Sequence, residues 1–136
     1  MKKKALIIGL IVAMFGLIVG AIAVFDNVFP MAEPIKCPGA DEIMSVSVSL
    51  NDDEEVILSE ELFFELLKEL SEAEPTRRMS VNDYPTAEMY YKIVIDADRS
   101  YCYFVYDENG QVYVELPYEG VYKSDNTIIS LLSEMI

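Results

Sequence analysis

The chain has 136 residues, 52% of them hydrophobic, and a formal net charge of −14 at pH 7. Its length fits one small domain. Residues 26–136 carry all 24 acidic and only seven of the ten basic residues, a net charge of −17, whereas Lys2, Lys3 and Lys4 stand at the start. So large an acid excess argues against binding to nucleic acids or to anionic lipid surfaces, because both need clustered lysine or arginine.

Histidine is absent, and there are only two cysteines. Serine–histidine and cysteine–histidine nucleophile systems therefore cannot form, and the commonest zinc ligands are missing. The glycine-rich phosphate-binding motifs and the nucleophile elbow are also absent. We therefore expect a protein that is not an enzyme and that has neither a metal nor a cofactor.

An uninterrupted apolar run of 21 residues, Ala5–Phe25, follows the lysines. As a helix it would extend about 31 Å, which matches the hydrocarbon core of a bilayer. Lysines before such a helix keep the N-terminus in the cytoplasm. Residues 1–25 are thus predicted to be a cytoplasmic lysine tag and a transmembrane anchor, with the remaining chain outside the cytoplasm in a single-pass arrangement.

Two alternatives concern the same segment. Ala21-Ile22-Ala23 fits the small-x-small pattern of a signal-peptidase site, so cleavage near Ala23 would give a secreted domain. The apolar run is longer than a usual signal-peptide core, which favours the anchor. Gly16 and Gly20 have the spacing that lets two membrane helices approach closely, and they predict a weak homodimer.

Residues 26–40 contain Pro30, Pro34, Pro38 and Gly39, and are predicted to be a linker. An acidic domain then occupies residues 41–136. Its first predicted strand, 44–50, alternates apolar residues with serines, and a short return strand covers 56–58. Ser59 is expected to cap a helix that Pro75 terminates.

Two hairpins are predicted next. Ile95 is placed opposite Cys102, and a three-residue turn ending in Gly110 places Val112 opposite Tyr106. A segment after Pro117 is expected to form an additional edge strand, and the chain ends in an amphipathic helix. The predicted fold is α+β: a small antiparallel sheet in ββαβββα order with two helices packed on one face.

Nine tyrosines suggest a binding surface, because tyrosine gives a large contact area with a polar tip. In the predicted register several of them project from the outer face of the sheet, and others follow Pro117 beside an ordered loop. The candidate partner-binding residues are Tyr101, Tyr103, Tyr113, Tyr118, Tyr122, Asn82, Asp83 and Tyr84. Ordinary cross-strand pairing is the alternative explanation for any single tyrosine.

Arg77 and Arg78 form an adjacent basic pair that can contact an anion, although the surrounding acids are the simpler partners. Cys37 and Cys102 are candidates for a disulfide, with Cys102 as an ordinary core residue being the equal alternative. Acidic residues at 52–55, 96–98 and 107–109 do not match a calcium-binding loop, and we interpret them as turn residues.

Two segments carry a family resemblance: Ser80-Val81-Asn82-Asp83-x-Pro85-Thr86, and Asn109-Gly110-x-x-Tyr113-x-Glu115-x-Pro117-Tyr118-x-Gly120-x-Tyr122. From about Asp41 to the C-terminus the chain resembles an uncharacterised family of small membrane-anchored or secreted domains of Gram-positive bacteria. That resemblance implies an extracytoplasmic location and assigns no activity.

The leading hypothesis is a membrane-tethered binding module for a protein or cell-envelope component. A small regulatory or inhibitory protein acting on a neighbouring membrane protein is the alternative. A carboxylate-based wall hydrolase ranks lowest.

Overall fold

In the computed structural model, which describes residues 1–136, the chain forms two compact units, Met1–Met31 and Ala32–Ile136. The elements in chain order are α1 (Lys2–Val28), β1 (Ser45–Leu50), β2 (Val56–Ile57), α2 (Glu60–Glu72), β3 (Glu74–Pro75), β4 (Tyr91–Asp96), β5 (Ser100–Glu108), β6 (Gln111–Leu116), β7 (Gly120–Ser124) and α3 (Asn126–Met135).

The first unit is the predicted apolar helix. None of its side chains is buried. Its length and composition are sufficient to cross a membrane, and an N-terminal signal sequence has the same properties. The chain therefore begins with a helix that is either a membrane anchor or a signal segment.

The second unit is an antiparallel sheet of seven strands in the order β2-β1-β4-β5-β6-β7-β3. Helices α2 and α3 pack on one face, and their apolar side chains join those of the sheet in a single core. This confirms the predicted α+β class and the two helices on one face. The sheet has one strand that was not expected, β3, which pairs with β7 and makes β7 an interior strand.

The helix signals in the sequence are met in part. Ser59 takes the N-cap position of α2, but its side chain makes no capping hydrogen bond. The first turn carries Glu60 and Glu61, where acids favour the helix dipole. At the start of α3, the Asp125 carboxylate accepts a hydrogen bond from the Thr127 backbone N–H at 2.8 Å, which also lowers the pKa of Asp125.

The predicted register of β5 is wrong by one residue. Ile95 pairs with Tyr101 rather than Cys102, and Ile93 pairs with Tyr103. Since side chains alternate between the two faces of a strand, this shift moves every side chain of β5 to the opposite face. Tyr103 therefore faces the helices and is buried.

The turn after β5 explains part of this difference. Asn109 and Gly110 have φ values of 56° and 83°, and Glu108 pairs directly with Gln111. Two central residues with positive φ make a type I′ turn, whose twist matches that of the flanking strands. The hairpin thus closes with two residues and not with the predicted bulged turn of three.

The other cause is a third layer. Residues 76–90, here called the strap, cross the face of the sheet opposite the helices. The ring of Tyr84 lies 5.5 Å from that of Phe104, and Ser80 bonds to Glu115 of β6. Phe104 is consequently 1% exposed on this second face while Val105 is fully buried on the first. A strand buried on both faces has no polar–apolar alternation to define its register.

The segment predicted as a linker, 26–40, is divided in the structure. Part of it belongs to α1, and the second unit begins at Ala32. The Ala32 N–H donates to Thr76 O at 3.0 Å, and Ile35 is buried in the core. A Cβ at Gly120 would lie 2.8 Å from the Cβ of Ala32, so glycine allows this close packing.

Asp52, in the turn after β1, generates a pH-dependent prediction. Its carboxylate accepts hydrogen bonds from Lys92 Nζ at 2.6 Å and the Tyr90 hydroxyl at 2.8 Å, and both lower its pKa. The stabilisation is complete above the ordinary aspartate pKa of about 3.9 and is lost as the pH falls through the lower folded-state value. We expect Asp52→Asn to reduce the free energy of unfolding by about 1 kcal/mol at pH 7.

Urea denaturation at a series of pH values would test this. The difference from wild type should disappear below the folded-state pKa of Asp52. Asp53→Asn, in the same turn, is the matched control and should show no such loss. A pH-independent difference for Asp52→Asn would contradict the assignment.

Candidate functional site

A buried carboxyl group fixes the strap to the sheet. Glu115 of β6 is 7% exposed. Its Oε1 accepts a hydrogen bond from the Ser80 hydroxyl at 2.7 Å, and its Oε2 accepts one from the Tyr106 hydroxyl at 2.9 Å. Both oxygens of a side chain that is costly to bury are therefore satisfied, one by the strap and one by β5.

The chemistry of this cluster is structural. Burial, and then the bond to Glu115, raise the pKa of Tyr106 well above its usual range. Its phenol therefore stays protonated and acts as a donor, whereas a nucleophilic or basic tyrosine would need a lowered pKa. Tyr106 thus positions the Glu115 carboxyl group, and Glu115 holds the strap through Ser80.

Arg78, one of the two predicted anion contacts, already has an anionic partner. Its guanidinium donates to both carboxylate oxygens of Glu108, at 2.7 and 3.4 Å, which raises the pKa of Arg78. It also lies over the ring of Tyr113, 5.5 Å from the centroid. Arg77 is partly buried. The two arginines therefore do not form a shared basic surface, since Arg78 is paired with Glu108 and Arg77 is partly buried.

The predicted tyrosine surface is divided by the shift of β5. Tyr103 and Tyr122 are 1% and 2% exposed and lie in the core with the helices, and Tyr101 packs partly against the same core. Tyr113 lies on the opposite face, beneath Arg78. Tyr101, Tyr103 and Tyr113 therefore do not form the common face that the sequence predicted.

The other predicted residues do come together. The Tyr118 hydroxyl donates to Asp83 Oδ1 at 2.7 Å, which joins the β6–β7 turn to the strap. Tyr118 is 63% and Tyr84 49% exposed, and Val81, three residues before Tyr84 in the strap, is 70% exposed. We call Val81–Tyr84 together with Tyr118 the strap tip.

Val81 was not predicted from the sequence. The available signal was a single β-branched apolar residue in an otherwise polar loop, next to Asn82. The two segments that carry the family resemblance meet here, since Ser80 binds Glu115 and Asp83 binds Tyr118.

The two cysteines are free thiols. Cys37 interacts with Tyr103 and packs against the helix-side core, whereas Cys102 pairs with Val94 and faces the strap side. The disulfide considered as one of two alternatives for this pair is therefore absent from the structure, because the side chains lie on opposite faces of the sheet. Burial raises the pKa of both thiols, which keeps them protonated and weakly reactive.

The acidic segments serve as turns, as expected. Asp107 Oδ1 accepts a hydrogen bond from the Gly110 N–H at 2.9 Å, and Asp98 accepts one from the Tyr101 hydroxyl at 3.0 Å. Nowhere in residues 1–136 do three aspartate, glutamate or cysteine side chains converge as metal ligands.

Removal of the strap anchor should be measurable. We expect Ser80→Ala and Tyr106→Phe each to reduce the free energy of unfolding by about 1–3 kcal/mol, because each leaves a buried oxygen of Glu115 without a donor. The effects should be non-additive in the double variant, since the donors share one carboxyl group. Denaturant titration measures all three values.

Ser71→Ala is the matched control. The Ser71 hydroxyl donates to Lys68 O on the exposed surface of α2, so its loss should change stability by less than about 0.5 kcal/mol. If Ser80→Ala were as neutral as this control, the strap would not depend on Glu115.

Comparison with known proteins agrees with the fold. No curated protein sequence matches the chain. The chain is similar to a protein described as "NMR structure of the protein from Ruminococcus gnavus", with a TM-score of 0.62 and 29% sequence identity over 71% of this chain and 97% of that one. Residues 31–123 match a family described as "Domain of unknown function (DUF5300)". The chain therefore belongs to the DUF5301 family, a domain of unknown function.

Proposed function

We propose that this protein is a membrane-tethered, non-catalytic binding module that contacts a protein or cell-envelope component outside the cytoplasm through the strap tip. The observation that carries the proposal is the strap tip itself: large apolar and aromatic side chains that are exposed, although the loop bearing them is anchored to the sheet.

Anchoring matters because ordering a loop on binding costs free energy. The strap is fixed at Ser80 by Glu115, at Asp83 by Tyr118, and at Tyr84 by the ring of Phe104. A contact surface that is already ordered avoids that cost. Tyrosine in such a setting is typical of the residues that dominate binding free energies.

Tyr118 supports the proposal independently. It adopts φ 62°, a left-handed conformation that costs most residues about 1–2 kcal/mol and costs glycine little. A bulky residue at this position gives up stability, and its ring is nevertheless mostly exposed. Backbone strain of this kind is commonly associated with functional surfaces.

The proposed tether is supported by α1 and by the three lysines in its first turn. A helix of 27 residues is long enough to span a bilayer, and the lysines favour a cytoplasmic N-terminus. The charge of −17 on residues 26–136 favours a partner with a neutral or basic contact surface, and would accelerate encounter with a basic one.

Site-specific photo-crosslinking in intact cells tests the proposal. With the full chain carrying p-benzoylphenylalanine in place of Val81, we expect one discrete covalent adduct. The matched control carries the same crosslinker in place of Ile57, which is 74% exposed on β2. The control should give no such adduct, because it lies outside the strap tip.

Adding Tyr84→Ser and Tyr118→Ser should reduce the adduct by at least about 30-fold, the equivalent of 2 kcal/mol for a dominant contact. Equal adducts from both crosslinker positions, or an adduct that persists in the serine variants, would contradict binding through the strap tip.

A further inference from the structure

A cleft of about 550 Å³ lies beside the beginning of β5. One wall consists of the successive residues 99–103, and the facing walls come from Glu33, Pro34 and Lys36 and from Leu116, Pro117 and Glu119. Its volume is within the range of ligand-binding pockets. The side chains that form the strap tip do not line it.

The cleft runs along the edge of the strand. Successive side chains of a strand point to opposite faces, so a cavity on one face would contact every second residue. Five consecutive residues border this one, which places it alongside the backbone of β5. A cleft in this position offers main-chain hydrogen-bonding groups.

Pairing shows that this edge of β5 is open. β4 pairs with residues 100–105 of β5, whereas β6 pairs only with residues 104–108. Continuing the β6 register would place Pro117 opposite Cys102, and proline has no N–H for a ladder hydrogen bond. The chain turns away there, with Glu119 N–H bonded to Leu116 O at 3.0 Å.

Residues 100–103 therefore have a strand on one side and the cleft on the other. At about 3.4 Å per residue this open edge is about 13 Å long, enough for an extended segment of four residues. An unpaired edge is a template for an added strand.

The cleft also has a cation that is not held in a salt bridge, although the carboxylates of Asp98 and Glu119 lie near it. Arg99 lies over the ring of Tyr101, 4.6 Å from its centroid, and makes no salt bridge. Lys36, also at the cleft, pairs with Glu33 at 3.2 Å through side chains that are more than 80% exposed, a contact of little strength. Two of the seven basic residues of a very acidic domain thus border this cleft, together with two acidic residues, Glu33 and Glu119.

Tyr103 adds an unsatisfied group. It borders the cleft, is 1% exposed, and has the one buried side-chain polar atom that lacks a hydrogen-bond partner. Its neighbour, the Cys37 thiol, is only a weak acceptor.

We propose that this cleft binds an extended peptide of a partner protein, which pairs with the open edge of β5 at residues 100–103 and places a carboxylate against Arg99. The carboxylate belongs either to an acidic side chain or to the C-terminus of the peptide. The site is separate from the strap tip and does not depend on the function proposed for it.

The test uses the full chain in nanodiscs, panned against displayed random hexapeptides with free C-termini. We expect enrichment of peptides with a carboxylate in a fixed position. Fluorescence anisotropy with an enriched peptide should show that Arg99→Gln weakens binding about tenfold. Lys68→Gln, a control on the exposed surface of α2, should leave the Kd unchanged.

Three further experiments test the strand pairing, identify the bound carboxylate and distinguish the cleft from the strap tip. N-methylation of alternate backbone amides should abolish binding if the peptide adds as a strand. C-terminal amidation or glutamate-to-glutamine replacement in the peptide identifies which carboxylate is bound. Tyr84→Ser in the protein should leave the Kd unchanged, which distinguishes this site from the strap tip. No enriched peptide, or binding that is indifferent to both N-methylation and Arg99→Gln, would overturn the proposal.

Discussion

The hydrogen bonds of the buried Glu115 carboxyl group fix the strap to the sheet, and the surface proposed for binding depends on that attachment. A carboxyl group placed in the interior needs donors, and here one comes from Ser80 of the strap and the other from Tyr106 of β5. The strap held in this way covers part of the sheet face opposite the helices. Phe104 is buried beneath it on that second face. The exposed strap tip and its link to Tyr118 follow from the same arrangement.

Most of the fold was accessible from local patterns. The apolar run predicts α1, the serine alternation predicts β1, and Ser59 and Asp125 mark the positions just before α2 and α3. The register of β5 was not accessible, because residues 101–106 are apolar or aromatic at nearly every position. Without alternation, the turn length alone determines the register, and a difference of one residue exchanges the two faces.

The β5 register also decided which residues of the candidate site could be predicted from the sequence. Asn82, Asp83, Tyr84 and Tyr118 lie in loops, where exposure does not depend on strand register, and they are exposed in the structure. Tyr103 lies within β5, so the register error moved it from the core to a surface. The open edge of β5 depends on tertiary structure and could not be predicted. Pro117 indicates where a strand ends, but the sequence does not show which neighbouring strand is left unpaired there.

Long-range nuclear Overhauser effects in the full chain would test the central claim most directly. If the strap lies against the second face of the sheet, contacts should join the rings of Tyr84 and Phe104, and backbone contacts should pair Ile93 with Tyr103. Contacts from the strap to Tyr103, with Ile93 opposite Phe104, would contradict the account. In that case the tyrosine-bearing face inferred from the sequence would be the surface to examine.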